Sequence, residues 1–531
     1  MNGESEGHTA GRPAHRGVSR RGALGVAAGA MASVLPLAGH AHAAAGRGAA
    51  RVETSLLPSG AQLYRDNAAM VGFGPRFTGS RAHDNYLGWL LDQFERTGCR
   101  ILPSHAYPCE TWEAERWGLT LLEGAHAGHV RVAAYHPRGG ETPPQGVVGR
   151  LLHLEGAPKI GAVADTADPA ALERATADWQ RRTSQWLAAR TAELGADAAG
   201  TVLLIDPGLP TTGTRAATDA SAGVFLRQPN DDGVPWKKLW DPRLWSAVAS
   251  APGAATAAGV VCIVDASYEA LAGDYLPPKN AYTGIPAVYV DKDTGAMLRQ
   301  AAEATPLVRF TMTAGRTKTT TPNLVAVLPG DGSTDEVLIG NTHTDGTNFL
   351  EENGGIGLLA LARYFRGLRL RGRGLRRSLV FSLVTGHFDA GFPETEGFID
   401  DHPDLVGKAT AALSIEHLGV TEWVDDDAGY RSLGVPDWGV MYVADSLVPL
   451  ASEAFAHHDL FNHRLGRNPS NYGGVGAAFA AAGVPALSFL AAPTYLLSTT
   501  PNGDLDKLDP ALMRRQLAWF ADLLHRLDAT P

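Results

Sequence analysis

Metal-binding side chains cluster in the stretch VLIGNTHTDGTNFLEENGG at residues 337–355. An apolar run ends at His343, Asp345 follows two positions later, and Glu351 and Glu352 stand just before an Asn-Gly-Gly. Residues two apart at the end of a strand point to the same side, so His343 and Asp345 can converge. An imidazole that binds a metal usually donates its other ring proton to a carboxylate or a carbonyl. The spacing therefore predicts His343 as a metal ligand and Asp345 as the group that orients it.

Two further apolar runs end in residues of the same kinds, at His387 and at Glu416. From about residue 322 onward such runs alternate with helical stretches, which predicts a largely parallel sheet covered by helices on both faces. In sheets of this kind, ligands bind beyond the carboxyl ends of the strands. We therefore expect His343, His387 and Glu416 to converge at one edge of the sheet.

The donors at this edge suit one metal ion. Glu416 and a carboxylate of the Glu351-Glu352 pair would add two oxygen ligands to the nitrogen of His343. Two carboxylates and one histidine leave a position open for water, which is the arrangement of catalytic zinc sites. A simpler explanation stays open for the glutamate pair, because negative charge also stabilises the start of a helix.

The composition is that of a globular protein. The chain has 531 residues, of which 44% are hydrophobic and 19% charged, and this length predicts more than one domain. A net charge of −10 offers no basic surface to nucleic acid. Cys99 and Cys109 can pair in an oxidising compartment or stay as free thiols, and the sequence leaves both open. Nothing in the composition predicts an oligomeric state.

Residues 1–43 have the features of an export signal. Paired arginines at residues 20–21 precede a mildly apolar run, and the Ala-His-Ala at residues 41–43 suits a signal peptidase. Such a segment resembles a bacterial twin-arginine signal, so we expect a secreted protein. The uncharged segment 473–498 is long enough to cross a bilayer, but its Gly-Val-Pro predicts a buried helix, a turn and a buried strand. We therefore expect no stable membrane insertion after the signal is removed.

The pattern of apolar and polar residues divides the rest of the chain into two parts. Residues 52–139 and 316–531 carry the alternating strand and helix patterns, and we expect them to form one α/β domain of catalytic type. Residues 140–315 differ in texture, and we expect them to form a second unit.

The order of these motifs resembles the M28 family of zinc metallopeptidases, in its aminopeptidase type with a protease-associated insert. The resemblance rests on GPRFTGS at 74–80, GAATAAGVVCIVD at 253–265, the His-x-Asp at 343–345 and EENGGIG at 351–357. It covers most of the chain that follows the signal. The resemblance implies an α/β fold with a mixed, mostly parallel sheet flanked by helices, as in zinc exopeptidases. It also implies that residues 140–315 form an inserted, β-rich protease-associated domain.

The resemblance also implies site residues. Members of the family hold two zinc ions, and the positions that bind the first ion match His343, Glu352 and Glu416. Asp345 matches the residue that orients the histidine. Both carboxylates are glutamates where the family has aspartates, so each side chain is one methylene longer. The metal geometry must adjust to this difference.

The positions that belong to the second ion have changed. His387 stands where the family has its general-base glutamate, and Phe388 stands where it has a metal-binding glutamate. The family's last histidine ligand falls near Thr499. We therefore expect one zinc ion and no second one, with His387 as the general base or a fourth ligand. His417 is a further candidate, although strand alternation points it away from the preceding glutamate.

These observations predict a secreted, metal-dependent hydrolase of the aminopeptidase type that cleaves an amide in a peptide or a small peptide-like substrate. Two alternatives stay open. The scaffold can catalyse intramolecular amide transfer, as in the glutaminyl cyclases, or it can be an inactive or repurposed binding module. Trp236, Trp240 and Trp245 lie on a polar stretch that suits stacking on a ligand, although they can equally pack the insert against its neighbour.

Overall fold

The computed structural model describes residues 52–159, 169–206, 211–214, 223–225, 235–237, 248, 256–275, 282–389, 391–458, 460–467 and 474–530. The predicted export signal at residues 1–43 lies outside the described residues. Trp240 and Trp245 of the tryptophan-rich stretch lie outside them as well, and Trp236 is described in its backbone alone.

The first sheet carries the candidate site. Within the described residues its nine strands are, in spatial order, β1 (Arg100–Leu102), β13 (Leu324–Leu328), β15 (Ser378–Val384), β14 (Val337–His343), β16 (Ala409–Ile415), β21 (Ala486–Ala491), β19 (Gly439–Val443), β20 (His463–Arg467) and β8 (Gly223–Phe225). The four strands β15, β14, β16 and β21 are parallel neighbours. Antiparallel pairing begins on either side of them, at β13 and at β19. The carboxyl ends of β15, β14 and β16 therefore meet at one edge.

The second sheet combines strands of the predicted insert with strands that precede it in the chain. Its described strands are, in spatial order, β3 (Gly128–Val130), β2 (Ala106–Leu121), β12 (Leu307–Pro322), β5 (Val147–His153), β6 (Thr201–Ile205), β10 (Gly259–Ile263), β11 (Ala287–Val290) and β4 (Ala134–Tyr135). Two-stranded ribbons join β17 (Thr421–Asp426) to β18 (Gly429–Pro436) and β7 (Thr211–Thr214) to β9 (Pro235–Lys237). Strands β2, β3 and β4 lie before residue 140 and β12 ends at Pro322, so this sheet extends beyond the predicted bounds 140–315, which stay a prediction.

Helices flank the sheets. They are α1 (Gly60–Val71), α2 (Arg81–Arg96), α3 (Pro169–Leu194), α4 (Tyr268–Leu271), α5 (Lys292–Ala302), α6 (Gly354–Arg369), α7 (Glu394–Asp401), α8 (Pro403–Val406), α9 (Val448–Ala456), α10 (Ala477–Ala481) and α11 (Pro510–Ala529). Serine residues cap the first two, since Ser59 and Ser80 accept the backbone N–H of Gln62 and His83. No helix among the described residues is long and apolar enough to cross a membrane. The predicted α/β fold, with a mixed sheet flanked by helices, is confirmed.

Helix α6 begins directly behind the site. It is buried along most of its length and packs on β14. A Cβ at Gly354 would overlap the carbonyl oxygen of Ile415 and the hydroxyl of Thr342. Glycine at this position therefore lets the helix start lie against β14 and β16. The turn that precedes the helix, with its two glutamates, is held at the carboxyl ends of the same strands.

The two sheets are joined by backbone hydrogen bonds. The N–H of Thr499 donates to the carbonyl of Gly273 over 2.7 Å, and the N–H of Tyr275 donates to the carbonyl of Leu497 over 2.8 Å. Asp274 lies between these two contacts and is 5% exposed. Its Oδ2 has no hydrogen-bond partner within the described part of the chain. A buried carboxyl therefore stands at the junction of the two sheets.

Replacement of Asp274 by asparagine is expected to stabilise the protein at alkaline pH. Burial raises the pKa of this carboxyl from its ordinary value of 3.8 to about 8. Between those values the unfolded chain is ionised while the folded protein keeps its proton, so stability is lost as the pH rises from 3.8 to about 8. Asparagine does not ionise. The advantage of Asp274→Asn in urea unfolding should grow by about 1.4 kcal/mol per pH unit across this window.

A matched control separates this effect from the substitution itself. Asp427 is exposed on the turn between β17 and β18. The same change there should leave the free energy of unfolding close to wild type at every pH. An Asp274→Asn variant whose advantage is independent of pH would contradict the raised pKa.

Candidate metal centre

Three histidines and two glutamates meet at the carboxyl ends of β15, β14 and β16. His343 is the last residue of β14, and His387 lies three residues beyond the end of β15. Glu416 and His417 follow β16 directly, and Glu351 lies in the turn before α6. Ligand atoms of His343, Glu351 and His387 lie within 4.8 Å of one another, and so do those of His343, Glu416 and His417. We call these five residues the His–Glu cluster.

His343 is oriented as a metal-binding histidine would be. It is fully buried, and its Nδ1 lies 2.8 Å from the carbonyl oxygen of Asp345. A carbonyl only accepts hydrogen bonds, so Nδ1 carries the ring proton and Nε2 keeps its lone pair. Nε2 has no hydrogen-bond partner among the described residues. A buried nitrogen without a partner is costly, and a metal ion would satisfy it.

His417 presents Nε2 in the same way. Its Nδ1 donates a short hydrogen bond to the carbonyl oxygen of Ala491. Its backbone has φ of 56°, in the left-handed region that residues other than glycine rarely adopt. Strand alternation therefore does not apply, and the expectation that His417 points away from Glu416 is wrong. Non-glycine residues in this conformation are frequent at functional sites.

His387 is the solvent-facing member of the cluster. Its side chain is 21% exposed, whereas the side chains of the other four are at most 5% exposed. Its Nδ1 lies 3.0 Å from Oε2 of Glu394. Its ring stacks on that of His343 with centroids 4.1 Å apart. Nε2 of His387 thus faces the cluster while a carboxylate holds the other ring nitrogen.

The spacing of the donor atoms fits a bound ion. Nε2 of His417 lies 3.2 Å from Oε2 of Glu351 and 3.8 Å from Oε2 of Glu416. Nε2 of His343 lies 3.8 Å from that same oxygen of Glu416, and Nε2 of His387 lies 3.9 Å from Oε1 of Glu351. Ligands that share one tetrahedral zinc at about 2.1 Å lie about 3.4 Å apart. Nitrogen and carboxylate donors of this kind suit zinc.

The electrostatics favour the metal-binding state of His343 and Glu351. Burial lowers the pKa of His343 well below its ordinary value, and the neighbouring His387 adds to this effect. Burial alone would raise the pKa of Glu351, but His417, together with His343 and His387, outweighs it and the pKa is lowered. Burial raises the pKa of Glu416, whereas Glu351 and Glu416 outweigh burial and raise the pKa of His417, so these two side chains would release protons on binding a metal. His343 is therefore neutral and Glu351 ionised at pH 7, the states in which each binds a metal.

Asp345 supports the site in a different manner from the predicted one. Its backbone carbonyl, and not its carboxylate, is the partner of His343, since its Oδ1 lies 4.0 Å from the imidazole. Its Oδ2 accepts the hydroxyl of Thr78 over 2.5 Å and the N–H of Phe388 over 2.9 Å. The carboxylate therefore fixes the loop after β15 relative to β14, and this loop carries His387.

Glu352, the ligand that the resemblance implies, belongs to neither group of donors found among the described residues. Its Oε1 forms a fully buried ion pair with Nε of Arg76. The preceding Glu351 contributes its carboxylate to the cluster instead. Either of two adjacent glutamates in a turn can face the strand ends, because a small rotation of the backbone decides which side chain does so.

The positions that would serve a second ion hold other groups. Phe388 is buried, and its ring lies edge-on to those of His343 and Tyr275, at centroid distances of 6.4 and 6.2 Å. The hydroxyl of Thr499 donates to the carbonyl of Gly273, which lies just after α4. The free thiols of Cys99 and Cys109 show no disulfide.

Comparison with known proteins gives structural likeness alone. No family model and no curated protein sequence matches the chain. A peptidase M28 precursor from Shewanella amazonensis SB2B is 16% identical with a TM-score of 0.56, over 89% of this chain and 96% of that one. An aminopeptidase from Aneurinibacillus sp. strain AM-1 is 15% identical with a TM-score of 0.51, over 89% and 93%.

A zinc aminopeptidase from Bacillus subtilis gives a similar result. It is 13% identical with a TM-score of 0.54, over 88% of this chain and 95% of that one. The likeness in these three structures spans both sheets, because it covers nearly nine tenths of the chain. The chain therefore has the fold of the M28-type zinc aminopeptidases, as its motifs predict.

Proposed function

We propose that this chain is a metal-dependent hydrolase that cleaves amide bonds in peptides or peptide-like molecules. The observation that carries the proposal is the convergence of three imidazole Nε2 atoms with two buried carboxylates, on the fold of zinc aminopeptidases. The proposed ligands keep His343 and Glu416 from the sequence analysis. They take Glu351 in place of Glu352, and they add His417.

One zinc ion accounts for the whole cluster. Both groups of donors contain His343. Nδ1 of His343 faces a carbonyl, so only its Nε2 can bind a metal, and one nitrogen lone pair binds one ion. This supports a single site that draws on both groups. Phe388 has no donor atom at the position where the family binds a second ion. A second zinc ion is not part of the proposal.

Each residue of the site has a separate role in the proposed hydrolysis. Bound zinc supplies Lewis-acid activation of a water molecule and of the substrate carbonyl. His387 accepts the proton of the attacking water at Nε2 and returns it to the leaving amine, since it is the exposed histidine of the cluster. Glu394 holds Nδ1 of His387 and stabilises the imidazolium that forms. The carbonyl of Asp345 keeps His343 in its metal-binding tautomer.

Secretion belongs to the same proposal. It is supported by the paired arginines and the Ala-His-Ala within residues 1–43. A twin-arginine route exports folded proteins, so the zinc ion would bind before export. This order suits a site whose donors are almost completely buried.

A hydrolysis assay with and without metal tests the proposal. Purified protein should cleave aminoacyl amides or short peptides, lose this activity on treatment with a chelator, and regain it with zinc. Peptides that begin with glutamine belong in the same screen, because cyclisation instead of hydrolysis would indicate amide transfer. Zinc-loaded protein that leaves every amide intact would contradict the proposal and favour a binding module.

A further inference from the structure

The two adjacent glutamates before α6 contact different partners. Glu351 faces the His–Glu cluster, whereas Glu352 faces Arg76. Both are buried, with 2% and 0% exposure. Which of the two supplies a metal ligand must therefore be decided by what surrounds the turn, since residue type and burial are the same.

Arg76 binds the turn at several points. It is 1% exposed, and its guanidinium donates to Glu352, to the carbonyl of Asn348 and to the carbonyls of Met70 and Gly74. A guanidinium presents several N–H donors in a fixed planar arrangement, so it can hold all these acceptors at once. Arg76 thus joins the end of α1 to the turn that carries both glutamates.

Arg76 also acts on the proposed ligand Glu351 through Asn348. The side chain of Asn348, whose carbonyl Arg76 holds, accepts the backbone N–H of Glu351 through Oδ1 over 3.2 Å. The amide group of Asn348 donates to the carbonyls of Tyr495 and Leu496 over 3.1 and 3.0 Å. The backbone of Glu351 is therefore fixed by a residue that Arg76 fixes in turn.

The backbone around Gly346 completes the arrangement. Arg76 and Gly346 form a pair of antiparallel backbone hydrogen bonds of 2.8 and 3.0 Å. A Cβ at Gly346 would overlap the carboxylate of Glu352. Glycine at this position is thus needed for Glu352 to reach Arg76, and the segment between His343 and the turn is tied to the same arginine.

We propose that Arg76 is a positioning residue for the metal centre, which keeps Glu352 out of the His–Glu cluster and holds Glu351 in it. The proposal rests on the proposed metal site. The charge of Arg76 neutralises the buried carboxylate of Glu352, for which the described part of the chain shows no other ion-pair partner. The contacts to Asn348 and to Gly346 set the direction in which Glu351 points.

Zinc affinity tests this role apart from catalysis. The affinity of the full chain is measured by competition with a chelating dye, in wild type, Glu352→Gln and the double variant Arg76→Met/Glu352→Gln. Glu352→Gln keeps the carbonyl contacts of Arg76 and should bind zinc within about twofold of wild type. The double variant removes the buried charges as a pair but also the carbonyl contacts, and its affinity should fall about 10- to 100-fold.

Three outcomes would overturn the inference. A loss of zinc affinity in Glu352→Gln as large as in Glu351→Gln would make Glu352 a ligand. Unchanged affinity in a folded double variant would make Arg76 a purely structural residue. Wild type that binds no zinc would overturn the proposed function together with the inference, whereas the first two outcomes leave the proposed function standing.

A further variant serves if the double variant does not fold. Gly346→Ala leaves Arg76 in place but puts a methyl group where the carboxylate of Glu352 lies. It should displace this carboxylate, disturb the turn and lower zinc affinity at least about tenfold. A folded Gly346→Ala protein with wild-type zinc affinity would also overturn the inference.

Discussion

Replacement of His343 by alanine is expected to abolish zinc binding and to lower kcat/KM for amide hydrolysis at least about 10³-fold, which corresponds to about 4 kcal/mol. His343 belongs to both groups of donors in the cluster, so its loss breaks each of them. Its Nε2 has no other partner among the described residues, and the ion would lose its most buried nitrogen ligand. Bound metal is measured by elemental analysis, and activity is measured on the same preparation.

A matched histidine provides the control. His463 is also buried in a strand of the first sheet, but both of its nitrogens are engaged, with the carbonyl of Phe461 and the side chain of Gln516. His463→Ala should cost stability while leaving the zinc content unchanged. If His343→Ala keeps its zinc and His463→Ala loses it, the assignment of the ligands is wrong.

Replacement of His387 by glutamine is expected to lower kcat about 10²- to 10⁴-fold without loss of zinc. The side chain keeps a similar length and can still accept a hydrogen bond, but it cannot carry the proton. The zinc content stays because His343, Glu351, Glu416 and His417 remain. Steady-state kinetics and elemental analysis of the same sample separate the base from a ligand.

Two further variants show whether the loss of kcat is specific to His387. Glu394→Gln keeps the hydrogen bond to His387 but removes the charge that stabilises its imidazolium, so a smaller loss of kcat is expected. His105 also contacts a carboxylate, that of Asp401, but it is exposed and lies outside the cluster. His105→Gln should leave kcat unchanged. If His387→Gln loses its zinc, His387 is a fourth ligand and the proton acceptor lies elsewhere.

The positions of the strand ends could be predicted because they follow from simple rules. Apolar runs that alternate with helices predicted the parallel centre of the first sheet, and the structure makes β15, β14 and β16 neighbours. Polar residues at the ends of parallel strands must then meet. His343, His387 and Glu416 are brought together for this reason alone.

The choice between Glu351 and Glu352 could not be predicted from the local sequence. In our proposal it depends on Arg76, which lies 276 positions before Glu352, and on the absence of a side chain at Gly346. Both residues stand in the quoted motifs, but neither is a metal donor. The signal that separates the two glutamates is a buried cation in contact with one of them, and this contact is visible only in three dimensions.

The direction of His417 depends on a single backbone angle. A regular strand would turn it away from Glu416, and the positive φ turns it back. Such angles are rare outside glycine, and no pattern of residue types signals one here. The role of the tryptophan-rich stretch stays a prediction, because Trp240 and Trp245 lie outside the described residues.

We propose that the His–Glu cluster holds one catalytic metal ion. The decisive measurement is elemental analysis of wild-type protein that has been purified without chelators and without added zinc. We expect about one divalent ion per chain, the stoichiometry of a single mononuclear site. Protein that is folded and carries no divalent ion, and that binds none from a zinc-buffered solution, would contradict it.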